Sequence, residues 1–352
     1  MRKVKVGVLG ATGMVGQRFM QLLAGHPWFE VTELAASERS AGKPYEEAVG
    51  DRWKIGGEIP DFARGKIVKE CKPGLDCDLV FSALDSSVAG LIEEELAMAG
   101  YPVCSNSRNH RMDPDVPLLV PEINHDHLEA IKGQKLGDGF IVTNPNCSTI
   151  GLVIPLKPLL DSFGLKRVFV TTMQALSGAG FKGFDLDIQD NVLPYIGGEE
   201  EKMEMEPLKI LGRFEKGRFL DAGLGISAQC NRVNVQNGHL ETVNVELGSK
   251  AGLDDVISSL KGFNPLEGFG LPSAPNPPII VKEEDDRPQP KYDRDAGEGI
   301  SELARGMAVT VGRVRECRIL DYKFVLLSHN TIRGAAGASI LNAELMLKKG
   351  MI

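Results

Sequence analysis

The chain has 352 residues, 42% hydrophobic and 25% charged, an ordinary globular composition with more length than one hydrophobic core organises, so two domains are expected. Its formal net charge of -8 argues against nucleic acid or an anionic membrane as the main partner, and any anionic ligand must meet a local basic site. No run of about 18 apolar residues spans a bilayer, and the opening Met1-Arg2-Lys3 runs into a strand without a signal-peptide core, so a cytoplasmic location is expected.

In chain order, a strand over 4–9 comes first, then a helix over 13–25 and a strand over 31–36. Between the first two lie Gly10, Gly13 and Gly16, spaced every third residue, with Thr12, Met14 and Val15 among them. A glycine-rich turn that leaves a strand and opens a helix lets the backbone approach a pyrophosphate, although this spacing departs from G-x-G-x-x-G and a ligand-free turn is the alternative. The second strand ends at Ser37-Glu38-Arg39-Ser40, where such folds read the adenosine ribose. Glu38 suits the 2′-hydroxyl of NAD, whereas Ser37, Arg39 and Ser40 suit the 2′-phosphate of NADP. Two hydroxyls and a guanidinium favour NADP, unless Arg39 only pairs with Glu38 at the surface.

Strands over 79–83, 102–105 and 140–143 and a helix over 88–99 continue the alternation, which reads as α/β: a Rossmann-like, doubly wound parallel sheet. Cys147 then follows Asn144-Pro145-Asn146, between the strand over 140–143 and a helix begun at 148. A helix start carries partial positive charge and unpaired N–H groups, which favour a nucleophilic thiolate and suit an oxyanion. A small buried hydrophobe is the other reading. The six cysteines (71, 77, 104, 147, 230, 317) contain no Cys-x-x-Cys pair, so neither a disulfide scaffold nor a metal is expected. Pro155 and Pro158 predict a short, kinked or irregular helix behind Cys147.

From about 168 longer alternating strands appear, over 167–172, 242–247 and 307–312, and suggest an α+β second domain whose sheet has a face to cover. The proline-rich 272–278 and the acidic 283–286, followed by Pro288 and Pro290, read as loop traverses. The last segment, 334–349, is expected to be an amphipathic helix that packs back on the first domain. The expected division is 1–147, completed by the C-terminal helix 331–352, and 148–330.

Six motifs in order, Gly10 to Gln17, Ser105 to Asp113, Asn144 to Thr149, Gln174 to Gly180, Gly198 to Lys202 and Asn330 to Gly337, together resemble the aspartate-semialdehyde dehydrogenase family, in its archaeal and fungal branch. The resemblance covers essentially the whole chain. It implies an NADP-binding first domain, a catalytic and dimerisation domain over 148–330, and a homodimer or homotetramer. It also implies reduction of L-aspartyl 4-phosphate by NADPH to aspartate semialdehyde and phosphate, in biosynthesis of lysine, threonine, methionine and isoleucine.

By that resemblance Cys147 forms a thioester and His239, seven residues after Arg232, takes the thiol proton and assists collapse of the thiohemiacetal. Arg232 grips the substrate carboxylate and Arg111 the phosphate, while Glu206 meets the ammonium and Lys209 the phosphate. Gln174 orients the acyl-enzyme. Ser177, Gly178 and Asn330 touch the nicotinamide end, and Ser82, Ala83 and Leu84 end a strand where the cofactor crosses. Read without the family, His239 decorates a hairpin, Glu206 and Lys209 form an exposed i,i+3 pair, and the remainder form turns. Competing functions are a malonyl-CoA or N-acetylglutamyl-phosphate reductase of the same architecture, and a non-catalytic NADP-binding protein.

Overall fold

In the computed structural model, which describes residues 2–352, the first alternation becomes a six-stranded parallel sheet; Met1, at the start of the expected first domain, lies outside the described residues. Strands β1 (Val4–Leu9), β2 (Phe29–Ala36), β3 (Val68–Glu70), β4 (Leu79–Ser82), β5 (Pro102–Ser105) and β6 (Phe140–Thr143) lie in the order β3-β2-β1-β4-β5-β6. The chain winds outward from β1 to β3, then returns to β4 and winds the other way. The crevice between the ends of β1 and β4 is therefore the switch point where such sheets bind ligands. Every residue of β4 and β6 is buried, as expected of parallel strands covered on both faces. The first helix is Met14–Leu23, and the helix expected over 88–99 runs Ser86–Met98 because the Asp85 side chain accepts the Ser87 N–H and starts it earlier.

The second sheet is mixed. After β7 (Leu165–Gln174) a small hairpin, β8 (Arg213–Glu215) and β9 (Arg218–Leu220), stands apart. Strands β10 (Gly225–Arg232), β11 (His239–Leu247), β12 (Ile279–Lys282), β13 (Val309–Glu316) and β14 (Tyr322–Ser328) then complete the order β10-β7-β11-β14-β13-β12. The strand expected over 307–312 begins two residues late, because Gly306, at φ +78°, and the Met307 N–H to Ala304 carbonyl bond turn the chain just before it. Along β11 every second residue is buried. That inner face is covered by the helix Cys147–Phe163, while on the outer face Phe169 is 46% exposed and, toward the other edge, Thr310 and Leu327 are buried.

Where a short, kinked or irregular helix was expected, Cys147–Phe163 runs unbroken for 17 residues, with Pro155 and Pro158 inside it. Each proline removes one rung, but residues 148–156 are all buried, so packing holds the helix where its ladder is interrupted. Gly151 permits the approach: a Cβ there would lie 2.9 Å from Ser328 Cβ.

The C-terminal helix is Gly337–Lys348, entered through a wide π-type turn over Ile332–Ala336. It is not amphipathic, since Gly337 through Met346 are all buried. Ile340, Leu341, Leu345 and Met346 share the core of the first sheet with Phe19, Phe29 and Phe81. At its entrance Arg333 is fully buried and donates from both Nη atoms, at 2.7 Å each, to the Glu122 carboxylate. A buried fork of this kind contributes little net stability when whole but is costly to halve. Arg333→Met is expected to cost about 3–5 kcal/mol and lower the thermal midpoint, with most of the loss recovered by adding Glu122→Met; an unchanged midpoint in the single variant would contradict the clamp.

Candidate active site

The glycine turn sits at the switch point of the first sheet. Gly10 has φ +68°, and a Cβ on it would come within 2.5 Å of the Ala83 carbonyl, so only glycine lets the turn lie against the end of β4. A Cβ on Gly16 would lie 2.3 Å from the Gly10 carbonyl, which makes it the packing glycine of the turn. Gly13, the cap of the helix Met14–Leu23, provides no side-chain cap, and the helix has no acidic residue in its first turn. A helix start with uncapped N–H groups and no opposing carboxylate fits a pyrophosphate. Thr12 is buried, and Met14 and Val15 begin the helix, while Ser82, Ala83 and Leu84 pass beside Gly10. At the end of β2, Ser37, Glu38 and Arg39 are exposed, whereas Ser40 is buried and closes the turn by donating its N–H to the Ser37 carbonyl.

Across the cleft the register of the second sheet builds a row of side chains. Arg232 on β10 pairs with Gln174 on β7; Leu240 pairs with Met173, which sets His239 beside Gln174; and His239 pairs with Ser328 on β14. Paired residues share a face, and this is the face under the helix of Cys147. Cys147 Sγ lies 3.2 Å from His239 Nε2. On the other side of the ring, Nδ1 accepts the Ala175 N–H at 3.0 Å. In a neutral imidazole that contact places the ring proton on Nε2, aimed at the sulfur.

Burial and the nearby Arg232 depress the His239 pKa to about 3, so the ring is neutral at physiological pH. The sulfur is neutral as well: burial, reinforced by Glu199, pushes the Cys147 thiol up to about 12 against the pull of Arg232, Arg111 and Lys202. Burial thus favours the thiol over the expected thiolate at rest, with the ring proton on Nε2, although Cys147 itself is only partly buried. The helix start is also less open than expected. Asn146 Oδ1 accepts the N–H groups of Ser148 and Thr149, so capping consumes two of the donors proposed for an oxyanion.

Arg111 donates Nη1 to Glu206 Oε1 at 2.8 Å and Nη2 to the Asn106 carbonyl, leaving its buried Nε without an acceptor. Glu206 Oε2 accepts the Asn146 N–H at 2.7 Å. Each oxygen of Glu206 thus already accepts one protein donor. Lys209 is bound to the protein as well: its ammonium donates at 2.8 Å to the carbonyls of Arg111, Asp113 and Val116, and burial lowers its pKa to about 8. With all three protons committed, it fastens the loop that carries Arg111. The two residues do share one helix, but on a buried face.

Arg232 donates Nη1 to the Ala175 carbonyl at 2.7 Å. Gly178 presses on this pair, since a Cβ there would lie 2.8 Å from Arg232 Nη1 and 3.0 Å from His239 Cε1. Asn330 uses both amide ends, accepting the Gly238 N–H at 2.9 Å and donating to Ser177 Oγ at 2.8 Å, so it ties the histidine hairpin to the Ser177 loop. Sequence reasoning missed the capping role of Asn146, the Ala175 peptide, Glu199, and Gly334, whose Cβ would strike Cys147 Cβ at 2.8 Å. All of them lie in motifs whose residue types were legible, but not which way each group points.

Two family models match the chain: "Semialdehyde dehydrogenase, NAD binding domain" over residues 5–131 and "Semialdehyde dehydrogenase, dimerisation domain" over residues 156–333. The aspartate-semialdehyde dehydrogenase of Archaeoglobus fulgidus is 51% identical, over 99% of this chain and 100% of that protein. The Candida albicans enzyme of the same name is 46% identical over 99% of both. A crystal structure of aspartate semialdehyde dehydrogenase with NADP from Candida albicans superposes with a TM-score of 0.90 at 44% identity, covering 100% of both chains.

The geometry around His239 predicts its titration. Heteronuclear NMR on imidazole-labelled protein should show a neutral ring protonated at Nε2 from about pH 9 down to about pH 4.5. A ring that titrates near its ordinary value of about 6.5, or that carries its proton on Nδ1, would overturn this assignment.

Proposed function

This chain belongs to the aspartate-semialdehyde dehydrogenase family, and we propose that it catalyses the reductive dephosphorylation of L-aspartyl 4-phosphate by NADPH to L-aspartate 4-semialdehyde, NADP and phosphate, on the route to lysine, threonine, methionine and isoleucine. The observation that carries the reading is Cys147 Sγ against His239 Nε2 at 3.2 Å, beneath Arg111, Gln174 and Arg232. Full-length identities near one half with enzymes of this name leave the malonyl-CoA and N-acetylglutamyl-phosphate readings, and the non-catalytic one, without comparable support.

The substrate brings an α-carboxylate and a phosphate into a site with two buried guanidinium groups. A planar fork such as Arg232 suits the carboxylate, and Arg111, with Nε unpaired, suits the phosphate. Cys147 Sγ then bonds to the acyl carbon as the C–O bond to phosphate breaks. The thiol proton leaves with the phosphate as hydrogen phosphate, so His239 need not accept it. NADPH, when bound, supplies hydride to the thioester carbon. The Nε2–H of His239 hydrogen-bonds first to the sulfur and then to the oxygen on which charge develops, and stays on the ring. As the oxygen re-forms the carbonyl the C–S bond breaks, the aldehyde departs, and the thiolate takes a proton from solvent to restore the thiol. Gln174 holds the acyl group, while Ser177, Gly178 and Asn330 shape the nicotinamide end.

Three further points belong to this reading. Arg39 and Ser37, exposed beyond β2, meet the 2′-phosphate. The outer face of the second sheet, where Phe169 is exposed, pairs two copies into a dimer. Among the described residues no helix is long and apolar enough to cross a membrane, and six free cysteines suit a reducing cytoplasm.

Purified enzyme should form NADPH from NADP, aspartate semialdehyde and phosphate, at a rate that vanishes without phosphate. Cys147→Ala should retain less than about a thousandth of that rate, and full activity in it would reject the thioester. Faster oxidation of NADPH by malonyl-CoA than by aspartyl phosphate would reject the substrate. Arg39→Leu should raise the KM for NADP about tenfold and leave that for NAD unchanged; equal effects on both would move the phosphate contact elsewhere.

A further inference from the structure

Besides Glu206, four glutamates crowd the helix Glu199–Ile210: Glu199, Glu200, Glu201 and Glu204. Two of them serve the edge of the second sheet. Glu200 accepts the Cys230 N–H and Glu204 accepts the Ala228 N–H, pairing β10 where no neighbouring strand does so. Glu201 is exposed. Glu199 is different, since it is buried and receives three side-chain donors. Its Oε2 accepts Asn146 Nδ2 at 2.8 Å and Gln174 Nε2 at 3.2 Å, and its Oε1 accepts Lys202 Nζ at 2.6 Å.

An ionised carboxylate only accepts, and a side-chain amide has one accepting and one donating end. A carboxylate that binds the NH2 end of an amide therefore decides where its oxygen points. For Asn146 the oxygen is sent to the Ser148 and Thr149 N–H groups, which sets the first turn that presents Cys147. For Gln174 the oxygen is turned away from Glu199. Burial alone would push the Glu199 carboxyl up, but the Lys202 charge and the bonds from Lys202, Asn146 and Gln174 hold it below the ordinary carboxylate range.

Around the sulfur, the helix Glu199–Ile210 contributes Glu199, Lys202 and Glu206, β10 contributes Arg232 and Cys230, β11 contributes His239, and the loop after β5 contributes Arg111. Glu206 is committed to Arg111. Glu199 is the remaining anion of the group, partnered by Lys202.

We propose that Glu199 is a positioning residue of this enzyme: locked to Lys202, its carboxylate fixes the amide ends of Asn146 and Gln174 and sets a negative charge against Arg111, Lys202 and Arg232 beside the Cys147–His239 pair. The inference rests on Cys147 as the nucleophile. Its consequence is a sulfur that stays protonated until the acyl phosphate arrives, within amides that are already oriented.

The two duties of Glu199 give opposite signs, which a merely structural role would not. In the full-length enzyme, Glu199→Gln should lower kcat for phosphate-dependent NADPH formation about ten- to a hundredfold, with the KM for phosphate changed less than about threefold. In the same variant, alkylation of the Cys147 peptide by iodoacetamide, followed by mass spectrometry against pH, should shift by about one unit to lower pH. Glu199→Asp should recover part of kcat. Lys202→Met, which exposes the sulfur to Glu199 without its counter-ion, should shift alkylation to higher pH, and it provides a second reading if Glu199→Gln does not fold. An alkylation profile unmoved in both variants, or moved in the same direction by both, overturns the electrostatic part; an unchanged kcat in Glu199→Gln overturns the positioning part. If the wild type lacked the dehydrogenase activity, the function would fail while the alkylation profiles still judged Glu199.

Discussion

The start of the helix Cys147–Phe163 is the constraint on which the site depends. Asn146 is held at three points: its N–H by Glu206, its amide nitrogen by Glu199, and its amide oxygen by the two N–H groups it caps. Both glutamates belong to the helix Glu199–Ile210, and Glu206 also binds Arg111 from the first domain. Lys209, one turn on, fastens the loop that carries Arg111 by three carbonyls. The nucleophile is therefore positioned by a single helix that reaches both domains, and the loop for the phosphate-binding arginine is set by the same element.

The second sheet supplies the remaining geometry. Four neighbouring strands place Arg232, Gln174, His239 and Ser328 in one row by register alone, without a loop to position any of them. The Ala175 peptide, just past the end of β7, serves two of these residues, giving its N–H to His239 and its carbonyl to Arg232. Sites built on strands are more precisely held than sites on loops. The close approach of Gly178 shows how little room is left around the pair.

Burial favours the neutral forms of the pair at the centre, which is set among cations and two paired anions, Glu199 and Glu206. Low dielectric disfavours charge on sulfur and imidazole alike, while guanidinium groups keep theirs because their pKa is so high. Charge thus resides on the groups that receive the anionic substrate, and the reacting groups acquire it only during turnover. The same economy explains the helix start, whose N–H groups are capped by Asn146 rather than left open.

Much of this was legible in the linear chain. The strand-to-helix alternation around Gly10 and Gly13 determines a parallel, nucleotide-binding sheet, because hydrophobic period and turn glycines are local properties. The ordered motifs around Cys147, Gln174, Arg232 and His239 determine the family and its chemistry by residue type. Direction was not legible. Lys209 reads as a phosphate ligand until three carbonyls are found around it, and Glu199 reads as one of four surface glutamates until Asn146 and Gln174 converge on it. The continuity of a helix holding Pro155 and Pro158, and the all-round burial of Gly337 to Met346, likewise follow from what packs against them. The sequence by itself determined which chemical groups are present and in what local structures; only the tertiary structure decided which of them face each other and which proton is already spoken for, since partners as far apart as Arg333 and Glu122, 211 residues, meet only through the fold.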